Sequence, residues 1–90
     1  MKIKYRNSFL KDVKKHRSKR EKELIKNVIG SVKQALKPTD IKHLEKLSGH
    51  PNYYKIKTPP YRFGIYLDND TVEFVRFGQR QDFYKYFPPK

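Results

Sequence analysis

Hydrophobic positions follow a helical period in the first half of the chain and strict alternation in the second. Leu24, Ile25, Val28, Ile29, Val32, Ala35 and Leu36 recur at 3.6-residue spacing and mark one buried helix stripe. Ser18 and Glu21 form a capping-box pair ahead of this stripe, and Pro38 ends it. Gly30 inside it weakens the helix by about 1 kcal/mol relative to alanine, and a close helix–helix approach would explain its presence. A shorter helix, N-capped by Asn7 or Ser8, carries Phe9, Leu10 and Val13 on one side and ends in Lys14-Lys15-His16-Arg17. Ahead of it, Lys2 to Arg6 alternates Ile3 and Tyr5 with basic residues, as a short strand does.

Ile41 to Leu47 fits one or two amphipathic turns and is too short to assign, and Ser48-Gly49-His50-Pro51 breaks the chain. From Asn52 the period is two. Tyr54 and Ile56 share one face while Tyr53, Lys55 and Lys57 share the other. After Thr58-Pro59-Pro60, the apolar set is Tyr61, Phe63, Ile65 and Leu67, opposed by Arg62, Gly64 and Tyr66. Asp68-Asn69-Asp70 is a hairpin turn, and Thr71 to Phe77 is a third strand whose faces are both largely apolar, hence doubly covered. Gly78 closes that strand, and Gln79 to Phe87 forms a short helix or turn. The expected fold is α+β, in a single domain over residues 1–90. A two-helix hairpin packs on one face of a small, mainly antiparallel sheet, in the order β-α-α-β-β-β with a short C-terminal helix.

Charge sharpens this picture. The 90 residues carry 22 Lys and Arg against 9 Asp and Glu, a formal net charge of +13. Self-repulsion at that charge points to a polyanionic partner, with nucleic acid first and a membrane surface second. There is no cysteine, which excludes disulfides and thiolate chemistry, and the 3 histidines lack metal-ligand spacing, so no metal or other cofactor is expected. Met1 to Arg6 has no signal-peptide core and no long apolar run follows, so a cytoplasmic protein without membrane contact is expected.

Antiparallel pairing of the two alternating segments would gather Lys55, Lys57 and Arg62 on one face. Arg80 follows Gly78 and can turn back over the sheet, with Tyr84 one helical turn beyond it. Tyr53 and Tyr66 lie on the same face, and Arg76 is on the next strand. Cations for phosphates and flat rings for bases are what single-stranded RNA recognition requires. Taken singly, each lysine is most often a solvated strand residue; the shared face gives the group meaning. Carboxylates are absent from that face by alternation, and no Ser-His-Asp arrangement is present. RNA supplies its own 2′-hydroxyl nucleophile, so a base, an acid and phosphate-binding cations suffice for cleavage. A lysine flanked by other cations is the candidate base, because like charges disfavour the ammonium form. The basic run from Lys11 to Lys22, with Lys14, Lys15 and Arg17 at its centre, is either a solvated hairpin tip or a ribosomal RNA contact.

Leu47-x-Gly49-x-x-x-Tyr53-Tyr54-Lys55-Ile56-Lys57, Tyr61-Arg62-Phe63, and Phe77-Gly78-Gln79-Arg80 followed by Tyr84 resemble the RelE/ParE superfamily of bacterial toxins, closest to its RelE branch. The resemblance implies a RelE-like, microbial-ribonuclease-type fold and cleavage of mRNA in the ribosomal A site. It also implies 2′-hydroxyl attack leaving a 2′,3′-cyclic phosphate, independence of metal, and a cognate, acidic antitoxin. It assigns base and charge-stabilising roles to Lys55 and Lys57, the scissile phosphate to Arg62, an acid or phosphate-ligand role to Arg80, and nucleotide stacking or orientation to Tyr84. Gln79 stands where many relatives carry His and cannot transfer a proton, and Tyr86 rivals Tyr84 for the last role. The alternatives are a ParE-like gyrase inhibitor and a non-catalytic RNA-binding protein of the same fold.

Overall fold

A computed structural model describes residues 1–89. Strand β1 (Lys2–Tyr5) leads into helices α1 (Asn7–Lys15) and α2 (Lys19–Gln34), then a single 3-10 turn at Pro38–Asp40. Strands β2 (Leu44–Lys46), β3 (Tyr53–Thr58), β4 (Tyr61–Asp68) and β5 (Thr71–Gln79) follow, and helix α3 (Arg80–Tyr86) ends the order. The five strands form one sheet in the order β1-β5-β4-β3-β2, in which β1 pairs with β5 in parallel and the other pairs are antiparallel. None of the helices among the described residues is long and apolar enough to cross a membrane.

Alternation places the layers as the sequence implies. One face of the sheet packs Ile56, Phe63, Ile65, Leu67, Val72, Phe74 and Phe77 against Phe9 of α1 and Ile25 and Val32 of α2. The opposite face carries a smaller cluster in which Val75 meets Phe83 and Phe87, with Tyr53 and Tyr66 alongside. A register shift at Gly64/Ile65 explains how β5 serves both. Strict alternation from Val72 and Phe74 would aim Arg76 into the core; the bulge resets the phase, so that Phe77 is buried there instead. Gly64 is needed where it stands, because an added Cβ would lie 2.5 Å from the Phe87 ring.

Several local expectations are corrected. Ile41–Leu47, too short to assign from the sequence, is settled by pairing: its second half is the edge strand β2, held by Leu44 opposite Ile56 and Lys46 opposite Tyr54. The N-cap of α1 is Arg6, without a side-chain cap, and Asn7 already lies inside the helix. Ser8 instead donates to the carbonyl of Val75 at 2.6 Å, on the stretch of β5 that β1 is too short to cover. Leu36 leaves the buried stripe, since α2 stops at Gln34 and its side chain is 91% exposed. Nothing lies within 4 Å of a Cβ built on Gly30, so no close helix approach accounts for it. Gly78 does not end β5; it pairs with Arg62, and the strand continues to Gln79.

The capping box at Ser18 is formed in full, the Glu21 amide donating to Ser18 Oγ at 3.1 Å and the Ser18 amide to Glu21 Oε1 at 3.2 Å. The Tyr61 hydroxyl donates to the other Glu21 oxygen at 2.9 Å, tying the start of α2 to β4.

Candidate functional site

The antiparallel register of β3 and β4 sets Lys57 opposite Arg62, Lys55 opposite Gly64 and Tyr53 opposite Tyr66. All six positions therefore lie on one face, the one crossed by α3. Strand β2 extends the row, with Glu45 directly opposite Lys55. The face expected to lack carboxylates thus has one. Glu45 Oε2 is 3.1 Å from Lys57 Nζ, and its Oε1 is 3.9 Å from Lys55 Nζ. The Lys57 hydrogen bond, supported by the charges of Lys55 and Arg62, holds Glu45 below the usual carboxylate range. Glu45 was missed because a three-residue strand gives too little alternation to reveal its phase; only Leu44 in and Glu45 out hinted at it.

Tyr84 reaches this group from α3. Lys55 Nζ donates to its hydroxyl at 2.8 Å. Burial pushes the phenol pKa up, but the Lys55 hydrogen bond and the Arg62 guanidinium outweigh it, and the net direction is down. Tyr86, its rival, lies over the Arg76 guanidinium at 4.8 Å from ring centroid to Cζ. It is therefore engaged away from the lysine pair.

Arg62 is 6% exposed, and its Nη1 donates to the Tyr61 carbonyl at 3.0 Å. Its Nε is buried without any hydrogen-bond partner. A buried donor left so costs about 1–3 kcal/mol, which an incoming acceptor would recover. Arg80 opens α3, its amide donating to the Pro60 carbonyl at 3.1 Å, so the helix starts beside the β3–β4 turn. Its side chain is exposed. A cleft of about 830 Å³ runs from Glu45, Lys57 and Arg62 round the Pro59-Pro60 turn to Arg20, Glu23 and Asn27 of α2, with His43 on its wall. His43 also escaped the sequence reading, because it does not belong to the alternating strands, and Arg20 was read only as part of the basic run from Lys11 to Lys22.

The remaining candidates do not join the group around Lys55, Lys57, Arg62 and Tyr84. Tyr53 and Tyr66 pack edge to face at 5.1 Å, and Arg6 Cζ lies 5.7 Å from each ring. Tyr53 also packs edge to face on Phe87. These contacts leave the two rings half-buried in the smaller cluster. Arg76 is bound by Asp12 through Nε at 2.9 Å and Nη2 at 2.9 Å. Lys14, Lys15 and Arg17 sit exposed at the end of α1 and the turn beyond it.

No family model matches the chain. It is 35% identical over 89 residues to toxin RelE3 of Methanocaldococcus jannaschii, an alignment spanning 98% of this chain and 100% of that protein. Among solved structures, the RelB–RelE antitoxin–toxin complex from Methanococcus jannaschii superposes with a TM-score of 0.75 at 32% identity, covering 94% of this chain and 99% of that one. The isolated E. coli RelE toxin superposes with a TM-score of 0.63 over 87% of this chain and 82% of its own, at 22% identity, a likeness of fold. With a relative this similar along nearly its entire length, the chain belongs to the RelE family of toxins.

Proposed function

We propose that this protein is the toxin of a type II toxin–antitoxin pair and acts in the cytoplasm as a ribosome-dependent endoribonuclease, cutting mRNA in the A site without a metal. The observation that carries the reading is the row formed by Lys55, Lys57 and Arg62 on β3 and β4, with Tyr84 closing over it. Within that row the buried Arg62 Nε is a donor with nothing to donate to. An anionic phosphate oxygen is the acceptor such a group calls for, since charge-assisted bonds to guanidinium are the strong ones.

The chemistry follows from where charge develops. The 2′-oxygen attacks the adjacent phosphorus, its proton passes to a base, and the bond to the 5′-oxygen breaks with a proton delivered to that oxygen. The phosphorus centre gains negative charge on the way, and Arg62 and Arg80 are the groups to stabilise it. Lys55 and Lys57 share the base and charge-stabilising roles. Tyr84 orients the nucleotide next to the scissile bond. The partner proteins follow from charge and kinship: at +13 the chain suits an acidic antitoxin, and a solved relative at 32% identity is an antitoxin–toxin complex.

Lys57→Ala, Arg62→Ala and Arg80→Ala are each expected to lower cleavage by about a hundredfold or more while circular dichroism stays native. Induced expression followed by mapping of mRNA 5′ ends is the direct check. Cuts within translated codons support the proposal. Intact messages with DNA damage would transfer it to the gyrase-inhibitor reading.

A further inference from the structure

The row of cations has an internal counter-ion in Glu45, and the family resemblance assigns it no role. Glu45 stands on β2, the strand that alternation did not reveal, and spans the two lysines of β3. We propose that Glu45 is a positioning residue of the ribonuclease site: it anchors Lys57 and Lys55 side by side beneath the incoming phosphate, leaving Arg62 as the cation free to receive it. This rests on the endoribonuclease reading above.

Three observations lead here. First, long lysine side chains on one strand face repel each other and Arg62, and without a counter-charge they gain by swinging into solvent. Lys57 is still 41% exposed on its side chain, so sterics alone do not hold it. Second, the contacts run in a chain from Lys57 to Glu45 to Lys55 to the Tyr84 hydroxyl, joining β2, β3 and α3. An isolated exposed ion pair contributes little, but a network with several members restrains each of them. Third, Glu45 pairs with the two lysines and not with Arg62, whose guanidinium lies beside the Tyr84 hydroxyl and whose buried Nε has no partner. The cations are thereby divided into two lysines paired with Glu45 and one arginine whose Nε lacks a partner. Glu45 is ionised through the neutral range, as a carboxyl at or below its usual value is.

Removing Glu45 then has two effects of opposite sense. The net charge of the groove rises by one, so RNA binds more tightly. The lysines lose their anchor, so the bound strand is processed more slowly. Glu45→Ala should lower KM about two- to fivefold, the size of one modest ion-pair contribution. It should lower kcat about ten- to a hundredfold, as misplacement of charged groups at a reacting centre does. Glu45→Gln keeps an acceptor without the charge and should show the same KM with a smaller loss in kcat. Glu45→Asp keeps the charge on a shorter arm and should recover KM fully and kcat in part.

The test measures kcat and KM of the full chain on programmed ribosomes for these variants beside Arg62→Ala, with melting temperature recorded for each. Binding to a strand carrying a 2′-deoxy nucleotide at the scissile position is measured in parallel. Tighter binding with slower turnover supports the proposal. A Glu45→Ala enzyme that binds tighter and turns over at least as fast overturns it, making Glu45 a mere competitor of phosphate. Equal loss in both parameters with a lowered melting temperature also overturns it, as a fold effect. If Arg62→Ala cuts as well as the unmodified protein, the ribonuclease reading itself falls, and this inference with it. If only the Glu45 variants behave normally, the inference alone fails.

Discussion

Asp12 is 4% exposed and uses both carboxylate oxygens: Oδ2 accepts the Phe77 amide at 3.0 Å and faces Arg76 Nε at 2.9 Å, while Oδ1 accepts Arg76 Nη2. It stands in for the neighbouring strand that β5 lacks beyond Phe74, where β1 has ended. Asp12→Ala leaves a buried amide and a guanidinium without partners, and should destabilise the fold by about 2–3 kcal/mol in urea titration. Asp12→Asn, which retains one acceptor, should lose less. In the sequence, Asp12 is a lone acid among lysines and looks like a solvated helix residue. Its partners lie 64 and 65 positions away, so no local pattern announces it. Lys55, Lys57 and Arg62 were legible for the opposite reason: period two fixes their face from adjacent residues alone. Gly64 was legible only as a gap in that alternation. Gly64→Ala would drive a methyl into Phe87 and should loosen α3, seen as faster amide exchange in residues 83–87 than in β4.

At the scale of elements, the start and the apolar stripe of α2 were readable because their signals are local, while its end at Gln34 falls short of Pro38. Ser18, Glu21 and the apolar stripe need no tertiary partner to be recognised. What could not be read was that Glu21 also accepts the Tyr61 hydroxyl, and this adds a pH dependence. The Ser18 hydroxyl, and behind it the Tyr61 hydroxyl and the Ser18 amide, hold the Glu21 carboxyl below its ordinary 4.5 against the opposing effect of burial. A carboxyl with a depressed folded pKa contributes stability above its unfolded pKa and loses it as pH falls through the folded value. Glu21→Gln should therefore cost stability at pH 7 and flatten the decline between about pH 5 and pH 3, measured as melting temperature against pH. A parallel decline in both proteins would remove Glu21 from the account of acid sensitivity. Ser18→Ala tests the cap separately and should cost about 1 kcal/mol. Strand β2 shows the limit of such local reading. Three residues carry too few alternations to set a phase, and its pairing with β3 alone makes it a strand.

On the scale of the whole molecule, the α+β class and the meander were accessible because β3, β4 and β5 follow one another through short turns. The parallel pairing of β1 with β5 was not, since it joins residues about 70 positions apart and depends on how the helix pair crosses the sheet. The charge of +13 also belongs to the whole molecule, and exposed cations extend beyond the Arg62 groove. One part lines the Arg62 groove. Another, with Lys14, Lys15 and Arg17, stands at the tip between α1 and α2, where the Arg17 Nε donates to the Lys14 carbonyl at 2.9 Å and leaves the outer guanidinium nitrogens to solvent. If both parts meet phosphates, they contribute separately to salt dependence, because each neutralised phosphate of a single strand adds about 0.7 to the log–log slope. Changing Lys14, Lys15 and Arg17 together to Gln should then reduce the slope of RNA affinity against salt by about 2, and weaken binding evenly across sequences. Fluorescence anisotropy with labelled single-stranded RNA over a salt series measures this directly. An unchanged slope would make the tip a solvated end of the helix pair, and would assign the long-range attraction to the groove, which Arg20 also lines, and to the exposed Lys22 and Lys26 of α2.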